Sequence, residues 1–133
     1  MKHSELIEYK LRGEKITCLT AYDASFAKII DGAGTDIVLV GDSLGMVIQG
    51  AENTLAVTMQ QMIHHTEIVA KPCRQALVIA DMPFKSYENA GLALDNAKSL
   101  IAAGANMVKL EGGSEHQDVF RLLNSNNINV CGH

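Results

Sequence analysis

The sequence contains no long apolar run, no cluster of basic residues and no closely spaced cysteine pair, and each absence removes a class of protein. No apolar stretch approaches the roughly 20 residues that a membrane-spanning helix needs, and Met1 to Glu5 lead into no signal-peptide core. The formal net charge is −4 and no Lys/Arg run is present, which argues against a nucleic acid or an anionic membrane as partner. We therefore expect a cytoplasmic protein that binds a small molecule.

The cysteines do not indicate a disulfide framework or a zinc site. Cys18, Cys73 and Cys131 are odd in number, lack a CxxC spacing, and lie within or beside apolar runs. A free cysteine in such a position behaves as a small hydrophobe. We predict three free thiols with no role in chemistry.

Several catalytic and nucleotide-binding motifs are also missing. The glycines at 41, 45 and 50 form neither GxGxxG nor a Walker motif, and no GxSxG elbow is present. His64 and His65 lack the HExxH spacing of a zinc helix, so we predict that both are non-catalytic.

What the sequence does contain is an alternation of short apolar runs with longer helical patterns, which is typical of a parallel sheet. No linker or low-complexity segment divides the chain, so residues 1–133 are interpreted as one domain or part of one. The predicted strands are Lys15–Thr20, Asp36–Val40, Ala76–Ala80, Asn106–Leu110 and Ile128–Cys131. The predicted helices are Ser4–Lys10, Ala24–Asp31, Thr58–Ala70, Ala90–Ala103 and Glu115–Leu123.

The pattern predicts an α/β fold but does not by itself choose its topology. Continuous apolar runs such as Ile37 to Val40 indicate strands buried on both faces. A doubly wound sheet and a (β/α)8 barrel both produce this alternation.

Three of the predicted strands end close to a carboxylate. Asp42 follows the second strand, Asp81 the third and Glu111 the fourth. The carboxyl ends of parallel strands meet at one edge, where ligands bind, so these acids are expected to approach one another. Converging carboxylates repel unless a cation lies among them, and oxygen ligands without His or Cys favour Mg²⁺ over zinc.

Each of these residues also has an ordinary structural interpretation. Asp42 with Ser43 could cap a helix or turn, and Asp81 could support the turn before Pro83. Lys109 and Glu111 could form a surface ion pair. Near a metal, however, the Lys109 ammonium would hold a substrate carboxylate or a developing enolate oxygen. His133 follows the last apolar run, where an imidazole could reach the same edge.

Four segments, Leu19–Asp23, Val40–Gly45, Ala80–Phe84 and Val108–Gly113, resemble the motifs of ketopantoate hydroxymethyltransferases in order and spacing, and Val130–His133 continues the match. The resemblance covers nearly the whole chain. It implies a (β/α)8 TIM barrel of which this chain carries about the first half, a homo-oligomer that is a decamer in the family, and no nucleic-acid or membrane partner.

The resemblance further implies transfer of a hydroxymethyl group from 5,10-methylenetetrahydrofolate to 3-methyl-2-oxobutanoate through a Mg²⁺-stabilised enolate. Asp42, Asp81 and Glu111 are similar to the magnesium-site acids. Asp42, Ser43, Asp81 and Lys109 correspond to positions that contact the keto acid, and Lys109 and His133 are the catalytic candidates of this chain.

The resemblance also implies a general base at a position beyond His133, so we expect the 133-residue chain alone to be inactive. We expect a half-barrel to expose the apolar interior of the barrel and to self-associate. Two alternatives remain: a non-catalytic half-barrel, and another Mg²⁺-dependent keto-acid enzyme of the phosphoenolpyruvate mutase/isocitrate lyase type.

Overall fold

The computed structural model describes residues 3–133 and shows one five-stranded sheet. The strands are β1 (Cys18–Thr20), β2 (Ile37–Val40), β3 (Leu77–Asp81), β4 (Met107–Leu110) and β5 (Val130–Gly132). Each strand pairs in parallel with the next one along the chain. A doubly wound sheet reverses its strand order, whereas this sheet runs β1-β2-β3-β4-β5 without reversal, as a barrel does.

Helices connect the strands, as the sequence pattern predicts. They are α1 (Glu5–Arg12), α2 (Ala24–Gly32), α3 (Leu44–Val47), α4 (Met59–Ala70), α5 (Ala90–Ala102) and α6 (Gln117–Ser125), the last preceded by a 3₁₀ turn at Ser114–His116. Asp23 and Asn89 cap α2 and α5 by accepting backbone N–H bonds, and Thr58 forms a capping box with Gln61. The short helix α3 was not predicted.

Two of the predicted strands begin two or more residues before the observed ones. Lys15 to Thr17 precede β1 and are exposed. The Asp36 carboxylate accepts bonds from the Thr17 backbone N–H and hydroxyl, both at 2.8 Å. At the other edge, β5 begins at Val130 rather than at Ile128. The Thr17 N–H donates to a side chain, and the Ile128 N–H donates to Leu123 O in the turn after α6. Neither N–H therefore joins the hydrogen bonds of the sheet, although the apolar pattern assigned both residues to strands.

The sheet buries apolar side chains on both faces, because successive residues of a strand point to opposite sides. Val38, Val78 and Val108 belong to the larger cluster, which is formed with the helices. Ile37, Leu77, Ile79 and Met107 form a smaller cluster on the opposite face, against which Leu6 of α1 packs.

The expectation of an exposed barrel interior is wrong for the four buried residues of this smaller cluster, which are at most 9% exposed. Leu6, Leu39 and Cys131 pack against this cluster. Exposed apolar side chains lie elsewhere, on α1, α2, the edge strand and around α3, and include Ile7, Leu11, Leu19, Phe26, Ile29, Met46, Val47 and Ile48. Self-association remains a prediction.

The amino-terminal edge of the sheet is held by a buried carboxylate. Asp31, at the end of α2, accepts backbone N–H bonds from Arg74, Gln75 and Ala76 at 3.0, 2.9 and 2.8 Å, just before β3. Burial alone would raise the pKa of Asp31, but the three N–H donors outweigh burial and lower this pKa. Asp31 therefore joins a helix to a strand 45 residues later in the chain.

The structure also bears on the predictions about the cysteines and about membrane-spanning helices. All three cysteines are free, as predicted, although Cys18 is exposed rather than packed as a hydrophobe. Within residues 3–133, none of the helices has the length and apolarity needed to cross a bilayer.

Candidate active site

The predicted site residues lie together at the carboxyl edge of the sheet. Asp81 is the last residue of β3, and Lys109 is its direct partner in the register of β4. Asp42 and Glu111 follow the ends of β2 and β4. The register of the parallel strands, and not a flexible loop, therefore brings Asp81 and Lys109 side by side.

Asp81 is the buried centre of this group, with a side chain only 8% exposed. Its Oδ2 accepts the backbone N–H of Asp42 at 3.1 Å. Its Oδ1 lies 2.9 Å from Lys109 Nζ and forms an ion pair with that ammonium. Burying a carboxylate costs free energy unless it is paired, and Lys109 supplies the pairing here.

Lys109 links Asp81 to Glu111, since its Nζ also lies 3.1 Å from Glu111 Oε1. Burial alone would lower the pKa of Lys109, but the short contacts with Asp81 and then Glu111 outweigh burial and raise it. Lys109 is therefore held as a charged ammonium, which is the form needed to attract an anionic ligand.

Asp42 shows the opposite electrostatic situation. Its pKa is raised by burial and then by the negative charge of Asp81, while a hydrogen bond from the Thr54 side chain works against this shift. A carboxylate whose ionisation is disfavoured by a neighbouring negative charge is a site at which a cation is stabilising.

Glu111 and His133 form the exposed side of the group. Glu111 Oε1 lies 3.0 Å from His133 Nδ1 as well as close to Lys109, and these contacts, with Lys109 contributing most, lower the pKa of Glu111. Backbone bonds from Gly112 N–H to His133 O and from His133 N–H to Leu110 O place the imidazole beside Glu111. His133 therefore reaches the site, as predicted.

A cleft of about 110 Å³ opens over these residues. Its charged lining consists of Asp42, Asp81, Lys109 and Glu111. The remaining lining is formed by Thr54, Leu55, Met82, Phe84 and Tyr87. The cleft thus places one ammonium and three carboxylates next to apolar surface.

Ser43 lies beside this cleft at the start of α3, with its Oγ 2.7 Å from the hydroxyl oxygen of Tyr22. The structure thus brings all the predicted site residues to the carboxyl ends of the strands.

The three acids expected to hold Mg²⁺ do not form a single cluster. Within residues 3–133, no three His, Cys, Asp or Glu side chains are grouped closely enough to hold a metal ion. Asp42 and Asp81 are neighbours, whereas Glu111 is engaged by Lys109 and His133. Mg²⁺ commonly uses one or two protein carboxylates, with waters and substrate oxygens completing its shell. The neighbouring carboxylates of Asp42 and Asp81 supply the kind and number of oxygen ligands that such an ion takes from a protein.

A family profile described as Ketopantoate hydroxymethyltransferase matches residues 1–133. The chain belongs to this family. A 3-methyl-2-oxobutanoate hydroxymethyltransferase of Vesicomyosocius okutanii is 63% identical over 125 residues, which cover 94% of this chain and 48% of that protein. The enzyme of the same name from Ruthia magnifica is 58% identical over all 133 residues, which cover 51% of that protein. The chain spans about half the length of these curated relatives.

Solved structures with low sequence identity share the fold. A phosphonopyruvate hydrolase, crystallised with oxalate and Mg²⁺, superposes with a TM-score of 0.80 at 16% identity over 99% of this chain and 52% of that one. A 2,3-dimethylmalate lyase of the PEP mutase/isocitrate lyase superfamily gives a TM-score of 0.68 at 13% identity over 97% and 51%. These similarities confirm the fold: the chain forms about half of a (β/α)8 barrel.

Three residues of this ketopantoate hydroxymethyltransferase family member lie in or beside the site but were not singled out from its sequence. Thr54 contacts Asp42, Tyr87 lines the cleft, and Tyr22 contacts Ser43. Tyr22 lies within the Leu19–Asp23 motif, which was a usable signal. Thr54 and Tyr87 lie in loops without any pattern that assigns a partner.

Proposed function

We propose that this chain supplies the metal and keto-acid site for hydroxymethyl transfer from 5,10-methylenetetrahydrofolate to 3-methyl-2-oxobutanoate. The observation that carries the proposal is the buried Asp81 carboxylate, which lies between the Asp42 backbone and the Lys109 ammonium at the carboxyl edge of the sheet. The keto acid is the one in the names of the two related enzymes. The folate is supported by the family resemblance.

Asp42 and Asp81 would hold Mg²⁺, with Glu111 as a further ligand if it exchanges one of its present partners. Mg²⁺ bound there would polarise the keto oxygen and make the C3 proton of the acid easier to remove. The buried carboxylates supply oxygen donors in the number that this ion commonly takes from a protein.

Lys109 would bind the anionic end of the keto acid, or the negative charge that develops on its oxygen. Its ammonium is already charged and is oriented by Asp81 and Glu111, so little reorganisation is required when charge develops. Ser43 would donate its hydroxyl to the same anionic substrate. His133 would steady the Glu111 carboxylate that contacts Lys109.

The apolar part of the cleft fits the branched alkyl end of the substrate. Leu55, Met82 and Phe84 line it together with Tyr87. Met82 is buried, whereas Leu55 and Phe84 are exposed, so a bound branched acid would cover apolar surface that now faces solvent.

The first test is binding rather than turnover, because no proton acceptor is assigned among residues 3–133. We expect calorimetric titration with MgCl₂ to show binding to the wild-type chain and a loss of at least about tenfold in affinity in Asp81→Asn, because a charged ligand is removed. Asp95→Asn, an exposed substitution on α5, is the control and should leave the affinity unchanged. Unaltered Mg²⁺ binding in Asp81→Asn would contradict the proposed site.

The second test concerns the substrate. With Mg²⁺ present, 3-methyl-2-oxobutanoate should bind to the wild-type chain and should be displaced only weakly by pyruvate, which lacks the branched alkyl group. Binding of pyruvate alone would instead favour another Mg²⁺-dependent keto-acid enzyme. Binding of neither keto acid would favour a non-catalytic half-barrel.

A further inference from the structure

We propose that Tyr22 is a positioning residue that directs the Ser43 hydroxyl toward the anionic end of the keto acid. This inference rests on the proposed function. Tyr22 lies between β1 and α2, whereas Ser43 begins α3, so the contact joins two loops at the carboxyl edge of the sheet. The two hydroxyl oxygens are 2.7 Å apart, and the pair is partly buried.

The behaviour of Ser43 at the start of α3 is the first supporting observation. A serine at the N-cap of a helix commonly accepts a backbone N–H bond from the first turn. Ser43 occupies this position but makes no side-chain capping bond, and its Oγ contacts Tyr22 instead. Its hydroxyl is therefore withheld from the usual structural role.

The backbone before Ser43 is the second observation. A Cβ atom added at Gly41 would lie 2.7 Å from Ser43 Oγ, closer than real Cβ atoms approach other heavy atoms. The absence of a side chain at Gly41 thus leaves the space in which Ser43 Oγ meets the Tyr22 hydroxyl. The same added Cβ would lie 3.5 Å from Asp81 Oδ2, which places this space beside the proposed metal site.

The backbone of Tyr22 is itself held by a side chain of α4. His65 on α4 places its Nδ1 2.7 Å from the Tyr22 carbonyl oxygen. Because a carbonyl can only accept, His65 donates here, and Nδ1 carries a proton. The N–H of neighbouring Ala21 donates to Leu39 O at 3.1 Å. His65, which the sequence indicated to be non-catalytic, therefore has a structural contact to the segment that carries Tyr22.

The hydroxyl pair has one arrangement that favours an anionic ligand. In this arrangement Tyr22, whose phenolic O–H is a stronger donor than an aliphatic one, donates to a lone pair of Ser43 Oγ. This leaves the Ser43 hydrogen free to donate to a carboxylate oxygen, and hydrogen bonds to ionised acceptors are the stronger kind. With no hydroxyl at position 22, the Ser43 hydroxyl can rotate, and its hydrogen is no longer directed.

The test is a comparison of two affinities in the 133-residue chain. We expect Tyr22→Phe to weaken binding of 3-methyl-2-oxobutanoate about tenfold at saturating Mg²⁺, while Mg²⁺ affinity measured alone stays within about twofold. Tyr9→Phe, on the exposed helix α1, is the matched control and should change neither affinity. Ser43→Ala should lose at least as much keto-acid affinity, and Tyr22→Phe in that background should lose nothing further.

Three results would overturn the inference, and they differ in what else they affect. Equal losses of keto-acid and Mg²⁺ affinity in Tyr22→Phe would show a merely structural role. Additive losses in the double variant would show that Tyr22 does not act through Ser43. A wild-type chain that binds Mg²⁺ but no keto acid would remove the proposed function, and the role of Tyr22 with it.

Discussion

The amino and carboxyl ends of the parallel strands place carboxylates in opposite electrostatic environments. At the amino-terminal edge, Asp31 receives three backbone N–H bonds, and its pKa is lowered. At the carboxyl edge, Asp42 and Asp81 lie beside each other, the pKa of Asp42 is raised by burial and by the charge of Asp81, and Asp81 is paired with the Lys109 ammonium. A carboxylate satisfied by the backbone stabilises the fold. Neighbouring carboxylates, one of them with a raised pKa, mark a place where a bound cation can contribute that stabilisation.

The largest effect that tests this comparison is expected at Asp31. Asp31→Ala should lower the free energy of unfolding by roughly 3 kcal/mol, because three N–H groups at the start of β3 lose a charged acceptor. Urea unfolding measures this change. Asp95→Ala, exposed on α5, should change stability by less than about 0.5 kcal/mol. A loss of stability in Asp31→Ala no larger than that in Asp95→Ala would contradict the structural role of Asp31.

The contribution of Asp31 should also depend on pH. Its folded-state pKa lies below its unfolded-state pKa, so its stabilisation is present above about pH 4 and is lost as pH falls through the lowered folded-state value. The stability difference between wild type and Asp31→Asn should therefore shrink between pH 5 and pH 2, or roughly that range. Unfolding curves at several pH values test this, and a constant difference would contradict it.

Asp42 should behave in the reverse manner. Its folded-state pKa is raised, so ionised Asp42 costs stability, and this cost grows as pH rises from the unfolded-state pKa through the folded-state one. Asp42→Asn should therefore stabilise the metal-free chain slightly, by less than about 1 kcal/mol, at pH 7 and less at pH 4. Denaturant titration at both pH values measures this, and a clear destabilisation at pH 7 would contradict it.

The smallest effect is expected at Thr54, whose side chain bonds to Asp42. Thr54→Val keeps the shape of the side chain but removes the hydroxyl, so the pKa of Asp42 should rise further and Mg²⁺ affinity at pH 6 should fall by a few-fold. NMR titration of the Asp42 carboxyl carbon reports the pKa directly. Thr17→Val, at the amino-terminal edge, should leave the Asp42 titration unchanged.

Much of the fold could be predicted from the sequence because the strands of a parallel sheet are short apolar runs that need no knowledge of their partners. The strand at Leu77–Asp81 and the helix at Ala90–Ala102 were located within one or two residues for this reason. The short helix at Leu44–Val47 was missed because four residues are too few to show a helical period. The choice between barrel and doubly wound sheet depends on strand order, which local pattern does not encode.

The candidate site was predictable to the extent that its residues end strands. Asp42, Asp81, Lys109 and Glu111 have this placement and meet at one edge. The Lys109–Glu111 ion pair was one of the interpretations that the sequence offered, whereas the His133–Glu111 contact was not predictable, because it depends on side-chain conformation. Tyr22 and Ser43 are 21 residues apart in the sequence, and no pattern around either residue indicates a contact with the other.

The register of β3 and β4 has a consequence for how this site can change. Asp81 and Lys109 are direct partners, so the hydrogen-bonded backbones of β3 and β4 fix the spacing between their charges. Insertion or deletion of one residue in either strand would turn one of the two side chains to the opposite face, toward the helices. The chemistry of this edge can therefore vary by substitution at fixed positions but not by a change in strand length.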